Sequence, residues 1–81
     1  MNFTIKFLDV WGNEEDGFEV NDVLSTDTID SSELDNFTAF CNTYLRGPSD
    51  LYKIIWHDEN SGEVNLKVNG RPILNFERIN L

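Results

Sequence analysis

Polar and apolar residues alternate at the start of the chain. Phe3, Ile5 and Phe7 are separated by Thr4 and Lys6, and this period of two predicts a β-strand over residues 2–10. Gly12 and Asn13 signal a turn. Phe18 and Val20 then alternate with Glu19 and Asn21, which predicts a second strand over residues 17–25. The two strands form a hairpin whose tip is Glu14, Glu15 and Asp16, where water can solvate three carboxylates, with Trp11 and Phe18 on either side.

The period changes after residue 30. Asp30-Ser31-Ser32-Glu33 has the spacing of a capping box, with Asp30 in the cap role. Leu34, Phe37, Phe40, Cys41, Tyr44 and Leu45 fall within one helical stripe of ~140° at ~100° per residue. Asp35, Asn36, Thr38, Asn42 and Thr43 take the other side. Arg46 suits the last turn, and Gly47-Pro48 marks the stop: glycine permits a left-handed cap and proline blocks continuation.

Three more strands follow. Residues 51–57 are apolar and aromatic, 58–62 have the length of a hairpin turn, and Val64, Leu66 and Val68 share one side of residues 63–68. Asn69-Gly70 predicts a tight hairpin in which both central residues take positive φ. Residues 73–79 close the chain, and Pro72, lacking an N–H, belongs at that strand's start or on an edge. The order is ββαβββ: an α+β single domain over residues 1–81, with an antiparallel sheet of about five strands packed by one helix that buries its apolar stripe. The pattern leaves the strand order open.

Length limits what such a domain can do. At 81 residues it buries only ~60–65% of the surface its unfolded chain exposes, leaving little core to spare for a deep catalytic pocket. A hydrophobic content of 40% still supports a folded core. One cysteine, Cys41, permits no internal disulfide and suits a reducing compartment. The opening MNFTIKFLDV lacks the apolar stretch of a signal peptide, and no window approaches a membrane span. A cytoplasmic setting is expected, and the two Asn-Phe-Thr sequons at Asn2 and Asn36 carry no weight without secretion.

Charge changes the picture most. The net charge is −9, and all of it lies in residues 1–45, which hold ten acids and one base, Lys6. From Asp9 to Asp35 there are ten acids and no base. Direct binding to nucleic acid or to an anionic membrane needs the opposite sign. Part of this acidity has ordinary uses: Asp30 as a cap, Glu33 and Asp35 near the positive end of the helix dipole, and Glu14, Glu15 and Asp16 as a soluble tip. Ten acids in 27 residues exceed those uses, because crowded like charges repel.

The chemistry that catalysis requires is sparse. Cys41 lies inside the apolar stripe and reads as a small buried hydrophobe. His57, beside Asp58, reads as a solvated strand-end residue. One Cys and one His cannot supply a zinc site. Placing Gly17 or Gly62 at the glycine of a calcium loop puts Val23 or Val68 where the bidentate glutamate belongs, so both alignments fail. No phosphate-cradling glycine motif is present. No enzyme activity, metal or cofactor is expected. Trp56 reads as a half-buried strand aromatic and Trp11 either as packing over the hairpin base or as a partner contact.

The stretch DVWGNEEDGFEVNDV, residues 9–23, resembles an opening motif of small phage-encoded acidic proteins of unassigned function. It covers about a fifth of the chain. The resemblance implies a phage origin and a host-cytoplasm setting. Small, acidic, non-enzymatic phage proteins often inhibit host nucleases or other DNA-binding machinery. It assigns no residue.

Charge layout and resemblance together lead to one expectation: a stoichiometric inhibitor that occludes the nucleic-acid site of a basic host protein, such as a CRISPR effector, restriction enzyme or DNA-repair enzyme. Glu14, Glu15, Asp16, Glu19, Asp22, Asp27 and Asp30 would supply the carboxylates of this DNA mimic, and Trp11 an apolar anchor. The protein would be a monomer or homodimer. The alternatives are a phage structural or assembly accessory that pairs through a sheet edge, at residues 73–79, with copies of itself or with a virion protein, and an immunity- or antitoxin-like partner of a toxic nuclease.

Overall fold

Alternation in the first thirty residues builds one long hairpin. In the computed structural model, which describes residues 1–79, β1 runs Asn2–Asn13 and β2 runs Gly17–Asp30. Both are longer than the alternation suggested. β1 continues through Gly12 and Asn13, and β2 runs straight into the helix cap. β2 outlasts its apolar alternation because backbone pairing with β1 does not need apolar side chains. Only Ile29 of β2 is buried.

The helical segment is broken once. α1 spans Ser31–Asp35 and α2 spans Phe37–Tyr44. Asn36 leaves helical geometry at φ −103°, ψ 80°, and its side chain accepts from the Ala39 N–H at 3.2 Å. An asparagine side chain competes in this way for helical donors and restarts the helix as a cap. The apolar stripe survives the break: Leu34, Phe40, Cys41 and Leu45 are buried, with Phe37 and Tyr44 packed beside them. The helix ends at Tyr44, ahead of the expected glycine stop. Leu45 turns extended and buries its side chain, and Gly47 does not take positive φ.

A 3-10 turn, Ser49–Leu51, leads into β3 (Tyr52–Trp56), β4 (Ser61–Leu66) and β5 (Pro72–Arg78). Pro72 sits at the start of its strand, where no ladder N–H is lost. Of the Asn69-Gly70 pair only Gly70 takes positive φ, at 76°. The connection is wider than a two-residue turn, and Val68 lies beyond β4, 82% exposed, rather than on its apolar side.

The sheet is antiparallel throughout, in the order β2-β1-β5-β4-β3. Phe3 and Ile5 of β1, Val64 of β4 and Leu74 and Phe76 of β5 meet the helices in one core, with Ile29 from β2. Gly62 faces Phe76 across the ladder, and a Cβ there would meet the Phe76 ring and the Ile55 carbonyl. Trp56, 45% exposed, stands edge-on to Phe76 with centroids 4.8 Å apart, which is the half-buried role expected of it. β5 is hydrogen-bonded to β1 on one side and β4 on the other. The terminal strand therefore offers no free edge for self-association. Within the described residues, the free edges are β2 and β3.

Candidate functional site: an acidic ribbon

β5 pairs with β1 only from Phe3 to Phe7. Past Phe7, β1 is paired only with β2, and the two form a ribbon that carries the acidic tip. The tip closes on local chemistry. Asn13 Oδ1 accepts from the Asp16 N–H at 2.8 Å, and Gly12 and Gly17 take φ of 104° and 89°. A Cβ on Gly12 would run into the Gly17 carbonyl, so the chain crosses itself closely there. Trp11, Asp16, Phe18 and Glu19 line a shallow depression of about 270 Å³ at this end.

Two β-bulges arrange the carboxylates. The register shifts between Phe7 and Leu8 and again between Asp9 and Val10, leaving Leu24 and Asn21 of β2 as the extra residues. Each extra residue flips the side on which later positions emerge. Glu19, Asp22 and Asp27 stand opposite Trp11, Asp9 and Ile5, all odd positions of β1. Directly paired residues share a face. The three acids, Asp9 and Trp11 thus share the helix-side face. Without the bulges Asp22 would emerge on the opposite side from Glu19. Val20 and Val23 are turned to the other face, where both are exposed, and Leu24 at the bulge is 68% exposed.

Among the described residues the ion pairs are Met1 N with Asp30 and His57 with Glu63. Glu14, Glu15, Asp16, Glu19, Asp22 and Asp27 have no cationic partner within 4.0 Å there. Two bases lie against β1: Arg71, whose Nη2 donates to the Val10 carbonyl midway along the ribbon, and Lys6, across from Thr26 below it. Trp11 is 60% exposed at the ribbon's far end. No family model matches the chain, and no curated protein or solved structure matches it.

Asp30 stands apart from the other acids. Its carboxylate accepts from the Ser32 N–H at 2.9 Å, its own N–H donates to Glu33 Oε2, and the chain's N-terminus lies 3.8 Å away. The Ser32 amide and hydroxyl hold its carboxyl below the usual aspartate value. It pairs with Asn2, on the opposite face from Asp27, so it is a cap at the ribbon's root. Asp9 is the member that sequence reasoning missed. It lies across from Asp22 and accepts from Asn21 Nδ2 at 2.9 Å. The period-two run from Phe3 already pointed to its face.

Cys41 is buried, and burial pushes its thiol up, away from the thiolate that nucleophilic attack requires. His57 is exposed and bonded to Glu63 at 3.1 Å. Tyr44 donates to Glu33 Oε1 at 2.7 Å, which ties α2 to α1 and pushes the phenol up to about 12.

Proposed function

We propose that the protein is a non-enzymatic acidic binder that occludes the nucleic-acid site of a basic host protein. The observation that supports this is the bulge-corrected row Glu19, Asp22 and Asp27, continued by Asp9 and the tip acids and opposed by no cation within 4.0 Å among the described residues. From Ile5 to Asn13 the paired β1 and β2 strands extend ~27 Å at ~3.3–3.4 Å per residue. Asp9, Glu14, Glu15, Asp16, Glu19, Asp22 and Asp27 spread over that length give about one charge per ~4 Å. That is close to the ~3.4 Å per charge of a single nucleic-acid strand and more than twice the ~1.7 Å spacing of a duplex. The ribbon therefore suits a cleft that tracks one backbone. A cleft lined with Arg and Lys would be steered onto it and would lose access to its own substrate.

The test is capture from nuclease-treated bacterial lysate on the immobilised protein, followed by a salt gradient. Captured proteins should be basic and should elute well before 1 M NaCl, where the screening length falls to ~3 Å. Adding the free protein should then displace nucleic acid from them at one-to-one ratio. Partners that are not basic, that persist through 1 M salt, or that hold nucleic acid and this protein together would sink the reading.

A further inference from the structure

We infer that the outer edge of β2 accepts an extended Lys/Arg-bearing segment of the partner as a sixth strand, with Asp22 and Asp27 selecting for positive charge. This rests on the acidic-binder reading and adds how the partner docks. β2 has 14 residues, forms one edge of the sheet, and is exposed at all but Phe18 and Ile29. Native edges of this length are usually blunted by charged side chains, proline, β-bulges or a covering element. β2 has no lysine or proline, and its two bulges and its acids guard it against a neutral or acidic strand but not against a basic one. The other free edge, β3, is five residues long and carries Lys53.

The ladder shows which backbone groups are on offer. The Ile79 N–H donates to the Asn2 carbonyl, so Asn2 turns its backbone groups toward β5. In an antiparallel ladder the direction alternates, so Phe3, Ile5 and Phe7 turn theirs toward β2. Their partners Ile29, Asp27 and Ser25 are satisfied by β1, while Thr26 and Thr28 point their N–H and C=O outward. Beyond the bulge, Val23, opposite Leu8, does the same.

Two of these outward donors are already taken by acids. Asp27 Oδ1 accepts from the Thr28 N–H, and Asp22 Oδ1 from the Val23 N–H, each at 2.8 Å. An uncharged strand would have to displace both carboxylates and leave them uncompensated. A strand with Lys or Arg beside Asp22 and Asp27 draws the carboxylates onto its own cations and frees the two N–H groups. Residues between those bases would lie along the stretch from Val23 to Thr26, where β-branched side chains suit the pleated surface. A second copy of β2 is a poor occupant, because it brings acids and no base to the same edge.

A short fluorescent peptide alternating lysine with valine tests this, measured by anisotropy and by amide exchange. The comparison is the same peptide with its β2-facing backbone nitrogens methylated, which keeps charge and length but removes the strand's donors. The parent should bind at least about tenfold more tightly than the methylated form. It should slow exchange of the Thr26 and Thr28 amides, and a serine-valine peptide should not bind. Equal binding of parent and methylated peptides would overturn strand addition and leave the acidic-face reading standing. Absence of binding by either, or binding unchanged in a D22K/D27K variant, would overturn both. A dimer of the free protein that protects the same amides would also overturn the assignment, since the occupant would be a second copy.

Discussion

Gly12 and Gly17 both take positive φ at the ribbon's end, yet they differ in surroundings. A Cβ on Gly17 meets nothing, whereas one on Gly12 meets the Gly17 carbonyl. Gly17→Ala should therefore cost only the left-handed penalty of about 1–2 kcal/mol. Gly12→Ala should cost more, because backbone must also move. Urea unfolding of the two variants measures the difference, and equal costs would contradict the close crossing. Tyr44 supports a second prediction. Its pKa is raised to about 12 by the bond to Glu33. Below about pH 10, the ordinary tyrosine value, folded and unfolded chains both keep the proton and the bond contributes fully. Above it the unfolded chain ionises first, so this contribution fades as pH rises to about 12. Phenolate absorbance should show one late-titrating tyrosine that returns toward the ordinary range in Glu33→Gln.

At the scale of elements, the helix break at Asn36 has a single-residue cause. Asn36→Ala removes the bond to the Ala39 N–H and should destabilise the fold by about 1 kcal/mol. Thermal unfolding would register it, and a stabilised variant would mean that alanine had fused α1 and α2 into one helix. The apolar stripe was legible because helical period survives a short interruption. The break was not, because asparagine's choice between continuing and capping depends on whether its side chain finds a donor. β2 shows the same limit. Its length was underestimated because residues 21–28 carry no alternating apolar pattern, and its bulges leave no sequence signature. Those bulges place Asp22 with Glu19, so the row of acids was legible in composition but not in geometry.

For the whole molecule, the ribbon acids, which have no cation within 4.0 Å among the described residues, should make stability salt-dependent. Like charges along one ribbon repel, and ions screen them. The urea midpoint should rise as NaCl increases from low salt toward ~0.5 M. A ribbon variant with Glu14, Glu15 and Glu19 changed to lysine should keep its far-UV circular dichroism, lose that salt dependence, and no longer capture basic partners. A midpoint indifferent to salt would mean that the negative patch is already compensated.

The chain's residue order fixed the element types, the capping box, the single apolar stripe and the concentration of charge in the first half, because each depends on neighbours within a few positions. Strand order, the free edge at β2, the burial of β5 between two neighbours and the common face of Glu19, Asp22 and Asp27 came only with tertiary structure. These depend on which distant strands satisfy each other's backbone hydrogen bonds, and that pairing is decided by packing the whole sheet against the helices.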